Sequence, residues 1–132
     1  MALNENLIFF VDDDKMILNL LEYTIKNRHN YNVKSFYSGE ECLANLSENP
    51  SLIVLDHYFS KIGDGKLTGI ETLEKIKSVS PKIPVIILSS QEDKALIPLY
   101  FLKGASRYIS KDDYFVDSLM DAIDEELSKF TL

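Results

Sequence analysis

Acidic, hydroxyl and ammonium side chains follow short apolar runs at four places in this sequence. Asp12 and Asp13 come after the first apolar run, and Asp56 comes after the third. Ser89 follows the fourth run, and Lys111 lies just beyond the fifth. A carboxylate at the end of a buried run costs stability unless it is compensated, so we expect these five side chains to meet and to serve a chemical purpose.

Clustered carboxylates raise one another's pKa unless a cation lies among them. Carboxylate oxygens with room for water suit Mg²⁺, which commonly takes one or two carboxylates together with phosphate oxygens. Asp56 could then act as a nucleophile toward phosphorus and form an aspartyl phosphate. Lys111 would supply a second positive charge, and the Ser89 hydroxyl could donate a hydrogen bond to a phosphoryl oxygen.

Plainer interpretations compete at several polar positions. Asp14 is predicted to cap the first helix rather than to bind a metal. The two histidines, His29 and His57, lack the spacing of metal ligands, so no zinc site is expected. The single cysteine, Cys42, is expected to be a small core residue.

The stretches that precede the candidate residues have the composition of buried parallel strands. The five predicted strands are Leu7–Val11, Tyr31–Phe36, Leu52–Leu55, Val85–Leu88 and Arg107–Ile109. Their strict alternation with helices predicts an α/β fold, a parallel sheet with helices on both faces. In such a sheet ligands bind beyond the carboxyl ends of the strands, where all the candidate residues fall.

Five helices are predicted from apolar spacing and capping signals. The residues expected to face inward on the first helix are Ile17, Leu20, Leu21, Thr24 and Ile25. Ser38–Glu41 and Thr68–Glu71 have the form of capping boxes that open the second and third helices. The fourth is predicted over Ser90–Lys103, where Pro98 should kink or shorten it and some apolar side chains should face outward.

Four motifs, in order, resemble those of response-regulator receiver domains. They are Phe10–Asp13, Val54–Asp56, Ile87–Ser90 and Gly104–Lys111. The resemblance covers essentially the whole chain and is to chemotaxis-regulator-like members of two-component signalling systems. It implies a flavodoxin-like fold with the strand order 2-1-3-4-5.

By position, the resemblance makes Asp56 the phosphoacceptor. It implies that Mg²⁺ is held by Asp12, Asp13, Asp56 and the backbone carbonyl of Tyr58. Ser89 and Lys111 would contact the phosphoryl group. Tyr108 matches the aromatic residue that such domains turn inward on activation, and plain strand packing explains it equally well.

The segment after Asp56 departs from the family pattern. Phe59 and Ser60 stand where a Met-Pro pair is usual, and Lys61–Lys66 holds extra length beside the active edge. Asp112 replaces a common proline, and Tyr100 occupies a place usually held by a small residue. An irregular fourth helix is therefore expected.

Composition limits the classes of partner. The 132 residues carry a formal net charge of −7, and 45% of them are hydrophobic. Binding to nucleic acid or to an anionic membrane is not expected, because both need a basic face. No apolar run approaches the roughly 20 residues that cross a bilayer. We expect a single cytoplasmic receiver domain over residues 1–132 with no output domain.

The resemblance implies a phosphorylation-controlled switch rather than an enzyme, whose own chemistry is limited to accepting and hydrolysing the phosphoryl group. The donor would be a histidine kinase or a histidine phosphotransfer protein. The signal would leave through contact with an unidentified downstream protein, or through a homodimer formed by the fourth-helix region. A phosphorylation-independent adaptor on the same fold is the alternative. A flavin carrier is rejected, because Asp12–Asp14 would repel the flavin phosphate.

Overall fold

The computed structural model describes residues 6–28, 31–56, 67–89, 95–112 and 114–129. Its strands are β1 (Leu7–Val11), β2 (Asn32–Phe36), β3 (Leu52–Asp56), β4 (Val85–Ser89) and β5 (Arg107–Ser110). Its helices are α1 (Lys15–Arg28), α2 (Gly39–Ala44), α3 (Gly69–Val79), α4 (Ile97–Leu102) and α5 (Phe115–Ser128), with a 3₁₀ turn at Leu46–Glu48.

The five strands form one parallel sheet in the order β2-β1-β3-β4-β5. This confirms the predicted fold class and strand order. Both β3 and β4 are buried along their full length, as their apolar sequences predict. Each runs one residue further than predicted, so Asp56 and Ser89 are the last residues of their strands.

The sheet separates two hydrophobic clusters. One lies beneath α1 and α5 and contains Phe10, Val54 and Ile123. The other lies beneath α2, α3 and α4 and contains Phe9, Leu55 and Ile76. Because both faces of the central strands are covered, the polar groups of the sheet are accessible mainly at the strand ends.

One inward face was predicted incorrectly. Leu20 was expected to point inward, yet its side chain is 43% exposed. Leu18 is buried instead, together with Leu21 and Ile25. Residues at positions 18, 21 and 25 share one helical face with the spacing of a buried stripe, and Leu20 lies to the side of it.

The two predicted capping boxes form to different extents. At α3, the Thr68 hydroxyl accepts from Glu71 N and the Glu71 carboxylate accepts from Thr68 N, which completes the box. At α2, the Ser38 hydroxyl accepts from Glu41 N, but the Glu41 carboxylate accepts from Tyr37 N instead of Ser38 N. At α2, therefore, only the first of the two predicted hydrogen bonds of the capping box forms.

The fourth helix is short, as Pro98 predicts. Pro98 lies in the first turn of α4, where a missing N–H costs no intrahelical hydrogen bond. The expectation that some apolar side chains of this region face outward is confirmed by Phe101 and by Leu102, which is 79% exposed. Residues 90–94 lie outside the described ranges. Among the helices described, none is long and apolar enough to cross a membrane.

Candidate functional site

Four strands deliver polar side chains to one edge of the sheet. Asp12 directly follows β1, Asp56 ends β3, Ser89 ends β4, and Lys111 directly follows β5. In a parallel sheet the carboxyl ends of all strands lie at the same edge. The structure therefore brings together the acids and the lysine that the sequence analysis selected, with Ser89 beside them at the end of β4.

Asp12, Asp13 and Asp56 form a compact acidic cluster. Each can offer one carboxylate oxygen such that these oxygens all lie within 4.8 Å of one another. Asp12 and Asp56 are buried, the latter with 4% exposure, whereas Asp13 is exposed. Two of the three oxygen ligands are thus buried, and the third is exposed to solvent. Such a set suits a hard cation that keeps some of its water.

Lys111 bridges two of these acids. Its ammonium Nζ lies 2.8 Å from Asp56 Oδ1 and 3.1 Å from Asp12 Oδ2. Its backbone N–H donates to the Ser89 carbonyl at 2.7 Å, which fixes the chain just after β5. Burial opposes the charged ammonium, but the hydrogen bond that it donates to Asp56 and the two carboxylate charges outweigh burial and raise the pKa of Lys111. The lysine therefore remains a cation in this pocket.

The Asp56 carboxyl is a weaker acid than an ordinary aspartate. Burial, followed by the neighbouring charge of Asp12, raises its pKa from 3.8 to about 6, although Lys111 opposes the shift. Burial and the charge of Asp12 also raise the pKa of Asp13. The three acids thus carry more negative charge than Lys111 alone compensates, and a bound cation would relieve this.

Ser89 is fully buried at the end of β4. The strand register pairs Asp56 with Leu88, which places Ser89 one residue further along the neighbouring strand. Ser110 pairs with Ser89 across β4 and β5. Ser89 thus lies at the edge where the acids and Lys111 meet, as predicted.

Tyr108 lies two residues before the end of β5 and pairs with Ile87 of β4. Its side chain is half-buried and packs against the cluster beneath α2, α3 and α4. Its ring lies 5.9 Å from the ring of Tyr100, with a tilt of 53°. The position is compatible with strand packing and with a switch, so both interpretations remain predictions.

Two further structural predictions, at Asp14 and Cys42, are confirmed. The Asp14 carboxylate accepts from Met16 N at 2.9 Å and so caps α1. Cys42 is fully buried in the core, where burial raises the pKa of its thiol to about 12.

Asp112 has a local role that the sequence analysis missed. Its N–H donates to the Ser110 carbonyl, and its carboxylate accepts from Tyr114 N. A proline at this position could not make the first bond, so the departure from the family pattern builds a different turn after Lys111. The signal in the sequence is the aspartate itself, because its short side chain can accept from the N–H two residues later and so favours a turn.

Several predictions fall outside the described residues. They concern the backbone carbonyl of Tyr58, the segment Lys61–Lys66, and the two histidines His29 and His57.

Comparison with known proteins places this geometry in a family. Residues 8–124 match the family model described as the response regulator receiver domain. The chain is 32% identical over 105 residues to the alkaline phosphatase synthesis transcriptional regulatory protein PhoP of Bacillus subtilis. That match covers 79% of this chain but only 41% of PhoP, so the chain spans less than half the length of that relative.

Two solved structures resemble the whole chain. A CheY-like receiver domain protein from Methanospirillum hungatei has a TM-score of 0.82 and 25% identity, and the match covers 96% of each chain. The receiver domain of DrrB from Thermotoga maritima, in a structure described as BeF3 activated, has a TM-score of 0.80 and 28% identity. That match covers 95% of this chain and 99% of the DrrB receiver. With the family match over most of its length, the parallel five-stranded fold and the acidic cluster at the strand ends, this chain belongs to the response regulator receiver domain family.

Proposed function

We propose that this receiver domain accepts a phosphoryl group on Asp56, in a reaction that depends on Mg²⁺, and thereby switches a protein-interaction surface. The observation that carries the proposal is the environment of Asp56. Its carboxylate is buried at a strand end, in contact with Lys111 and close to two further acids. A nucleophile, a cation and a metal-ligand set are thus combined at one point.

The donor set fits a hard cation such as Mg²⁺. The cluster offers carboxylate oxygens alone, without sulfur or nitrogen ligands, which favours a hard cation over zinc. Asp12, Asp13 and Asp56 would hold the ion, and the carbonyl of Tyr58 would join them by family resemblance. When bound, Mg²⁺ would neutralise charge on the carboxylates and on the phosphoryl oxygens.

Asp56 supplies the nucleophile. One carboxylate oxygen forms a bond to phosphorus while the bond from phosphorus to the donor histidine nitrogen breaks, and the electron pair of that bond stays on the imidazole. Lys111 moves its contact toward the phosphoryl oxygens, and the Ser89 hydroxyl donates to one of them. With a pKa of about 6 before any cation binds, Asp56 is a carboxylate at neutral pH and able to attack.

The proposed partners are a histidine kinase or histidine phosphotransfer protein as donor and a downstream protein as receiver of the signal. We place the reaction in the cytoplasm, where such donors present their phosphohistidine. The domain acts as a switch, with no catalysis beyond accepting and hydrolysing its own phosphoryl group. Exposed Phe101 and Leu102 on α4 support a contact surface there, through which a homodimer is also proposed.

Nucleic acid is not proposed as a partner of this domain. Its net charge of −7 opposes contact with phosphate backbones. PhoP is named as a transcriptional regulatory protein, but it is more than twice as long as the part matched here. That this chain has no output domain stays a prediction.

The alternative function is a phosphorylation-independent adaptor, which the altered segment after Asp56 favours. Titration with Mg²⁺ and BeF₃⁻, followed by amide NMR, separates the two functions. The switch predicts a saturable response centred on Asp56, Ser89 and Lys111 that disappears in Asp56→Asn and persists in Asp112→Asn, since the second change preserves the turn. A folded wild type that stays silent would favour the adaptor.

A further inference from the structure

Tyr100 is a buried aromatic residue on a very short helix. It is the largest fully buried side chain described in the structure. It belongs to the hydrophobic cluster beneath α2, α3 and α4, which also contains Val85 and Ile87 of β4. The six-residue helix α4 thus inserts a full tyrosine ring into the core on the face of the sheet that also carries Tyr108.

The backbone of Tyr100 is tied on both sides. Its N–H donates to the Leu96 carbonyl at 3.0 Å, and its own carbonyl accepts from Ala105 N at 3.0 Å. Gly104, at φ 109°, makes the turn that brings Ala105 back to this carbonyl. Because the side chain is also fully buried in a packed core, the ring of Tyr100 has little room to move unless the helix moves with it.

The ring of Tyr108 rests against this fixed ring. Aromatic pairs in proteins have centroid separations of roughly 4.5–7 Å, so the observed 5.9 Å leaves at most about 1.4 Å of closer approach. Tyr108 is half-buried although it lies on the same face as the core residues Val85 and Ile87. Because Tyr100 fills the space beside Tyr108, deeper burial of Tyr108 requires the ring of Tyr100 to leave.

We infer that Tyr100 is a positioning residue that holds the Tyr108 ring in its half-buried place and couples that ring to α4. The consequence of this coupling for signalling rests on the proposed function. If phosphorylation of Asp56 draws Tyr108 inward, the ring of Tyr100 must be displaced, and α4 must move with it. The exposed side chains of Phe101 and Leu102 lie on that helix, so the contact surface changes in the same step.

The first test needs neither metal nor phosphoryl group. The protein is labelled with 3-fluorotyrosine, and the ¹⁹F relaxation caused by a soluble gadolinium chelate measures the exposure of Tyr108, whose signal is assigned with Tyr108→Phe. In Tyr100→Leu and Tyr100→Ala the ring of Tyr108 sinks into the vacated space, and its relaxation enhancement falls by roughly twofold. Tyr100→Phe keeps the ring and leaves the enhancement unchanged, as does the neighbouring surface change Phe101→Ala.

Tyr100→Leu removes the ring but keeps an apolar side chain in the core, so it remains informative if Tyr100→Ala fails to fold. An unchanged exposure of Tyr108 in folded Tyr100→Leu would overturn the inference.

The second test addresses the coupling. On titration of the wild type with Mg²⁺ and BeF₃⁻, the ¹⁹F signals of Tyr100 and Tyr108 and the amides of α4 are expected to shift with one midpoint. In Tyr100→Leu, Tyr108 responds and the α4 amides shift much less. A Tyr108 response in the wild type without any response of Tyr100 would contradict the coupling. If the wild type gives no response at all, the proposed function fails, and the exposure of Tyr108 in the metal-free variants alone decides the inference.

Discussion

The ammonium of Lys111 lies 2.8 Å from Asp56 Oδ1 and 3.1 Å from Asp12 Oδ2, and so joins the ends of β1, β3 and β5. This bridge compensates part of the buried negative charge at the strand ends. It does not compensate all of it, because burial and Asp12 still raise the pKa of Asp56 to about 6. The site is therefore prepared for a further cation at a cost to the stability of the metal-free protein.

The first prediction concerns how much the buried Asp56 carboxylate destabilises the metal-free protein, and how this depends on pH. The native pKa of Asp56 lies above its ordinary value of 3.8, so the native state holds a proton that the unfolded state has lost between about pH 4 and pH 6. Stability should fall as pH rises through this window and stay lower above it, by at most about 3 kcal/mol. In EDTA, Asp56→Asn should be more stable than the wild type at pH 8, and the difference should vanish near pH 4.

Urea unfolding midpoints at a series of pH values measure this difference. If the wild type is as stable as Asp56→Asn at pH 8, or more stable, then the charged Asp56 carboxylate does not destabilise the folded protein.

The second prediction concerns the metal. Asp13 is exposed and offers an oxygen to the acidic cluster, whereas Asp14 caps α1. Asp13→Asn should weaken Mg²⁺ binding by about tenfold or more, since it removes a charged ligand. Asp14→Asn removes the same charge one residue away and keeps the cap, so a change of less than about threefold is expected. Isothermal titration with Mg²⁺ compares them, and equal losses in both variants would point to diffuse charge attraction without a defined ligand.

The third prediction concerns a buried carboxylate on α5. Glu126 is 3% exposed and accepts from Arg107 Nε at 2.8 Å and from Lys129 Nζ at 2.9 Å. Burial acts against its charge, but these two cations lower its pKa below 4.5. Arg107→Met should cost roughly 1–3 kcal/mol at pH 7, and Arg107→Met/Glu126→Met should recover much of it.

The pH dependence of this pair has the opposite sign to that of Asp56. The contribution of Glu126 is present above about pH 4.5 and is lost as pH falls through the lowered native pKa. Arg28→Met serves as the control, since Arg28 pairs with the exposed Asp121, and a loss of no more than about 1 kcal/mol is expected. A loss in Arg107→Met no larger than in Arg28→Met would refute the buried-pair account.

The fourth prediction concerns the contact between α2 and α3. A Cβ added at Gly39 would overlap the Oγ1 of Thr72, which is fully buried and donates to the Thr68 carbonyl. Gly39→Ala should destabilise the protein by about 1–3 kcal/mol. In the Thr72→Ala background the same change should cost less, because the clashing hydroxyl and methyl are gone. Additive losses in this double-mutant cycle would mean that the helices separate freely.

Much of the architecture could be predicted from the sequence, because the runs that end at Val11, Leu55 and Leu88 are apolar enough to require burial on both faces. The same runs placed Asp12, Asp56 and Ser89 at one edge. The error at Leu20 arose because α1 has more apolar residues than its buried stripe needs, so periodicity alone did not select between Leu18 and Leu20.

Contacts between distant parts of the chain were not predictable from local patterns. The ring of Tyr100 meets Tyr108 only because Gly104 turns the chain between them, and the distance between the rings depends on how α4 packs on the sheet. The bridge from Lys111 to Asp12 likewise depends on the packing of side chains at the strand ends. Sequence motifs indicated which residues meet but not which pairs bond.

The most direct test of the central claim is intact-mass spectrometry after brief incubation with acetyl phosphate and Mg²⁺, with acid quenching from the first seconds onward. The account predicts a single phosphoryl adduct on the wild type, absent in EDTA and absent in Asp56→Asn, while Asp112→Asn is labelled like the wild type. An adduct retained in Asp56→Asn would contradict the assignment of the acceptor. A folded wild type that stays unlabelled at every time, beside another receiver domain that is labelled in the same reaction, would contradict the phosphoacceptor function itself.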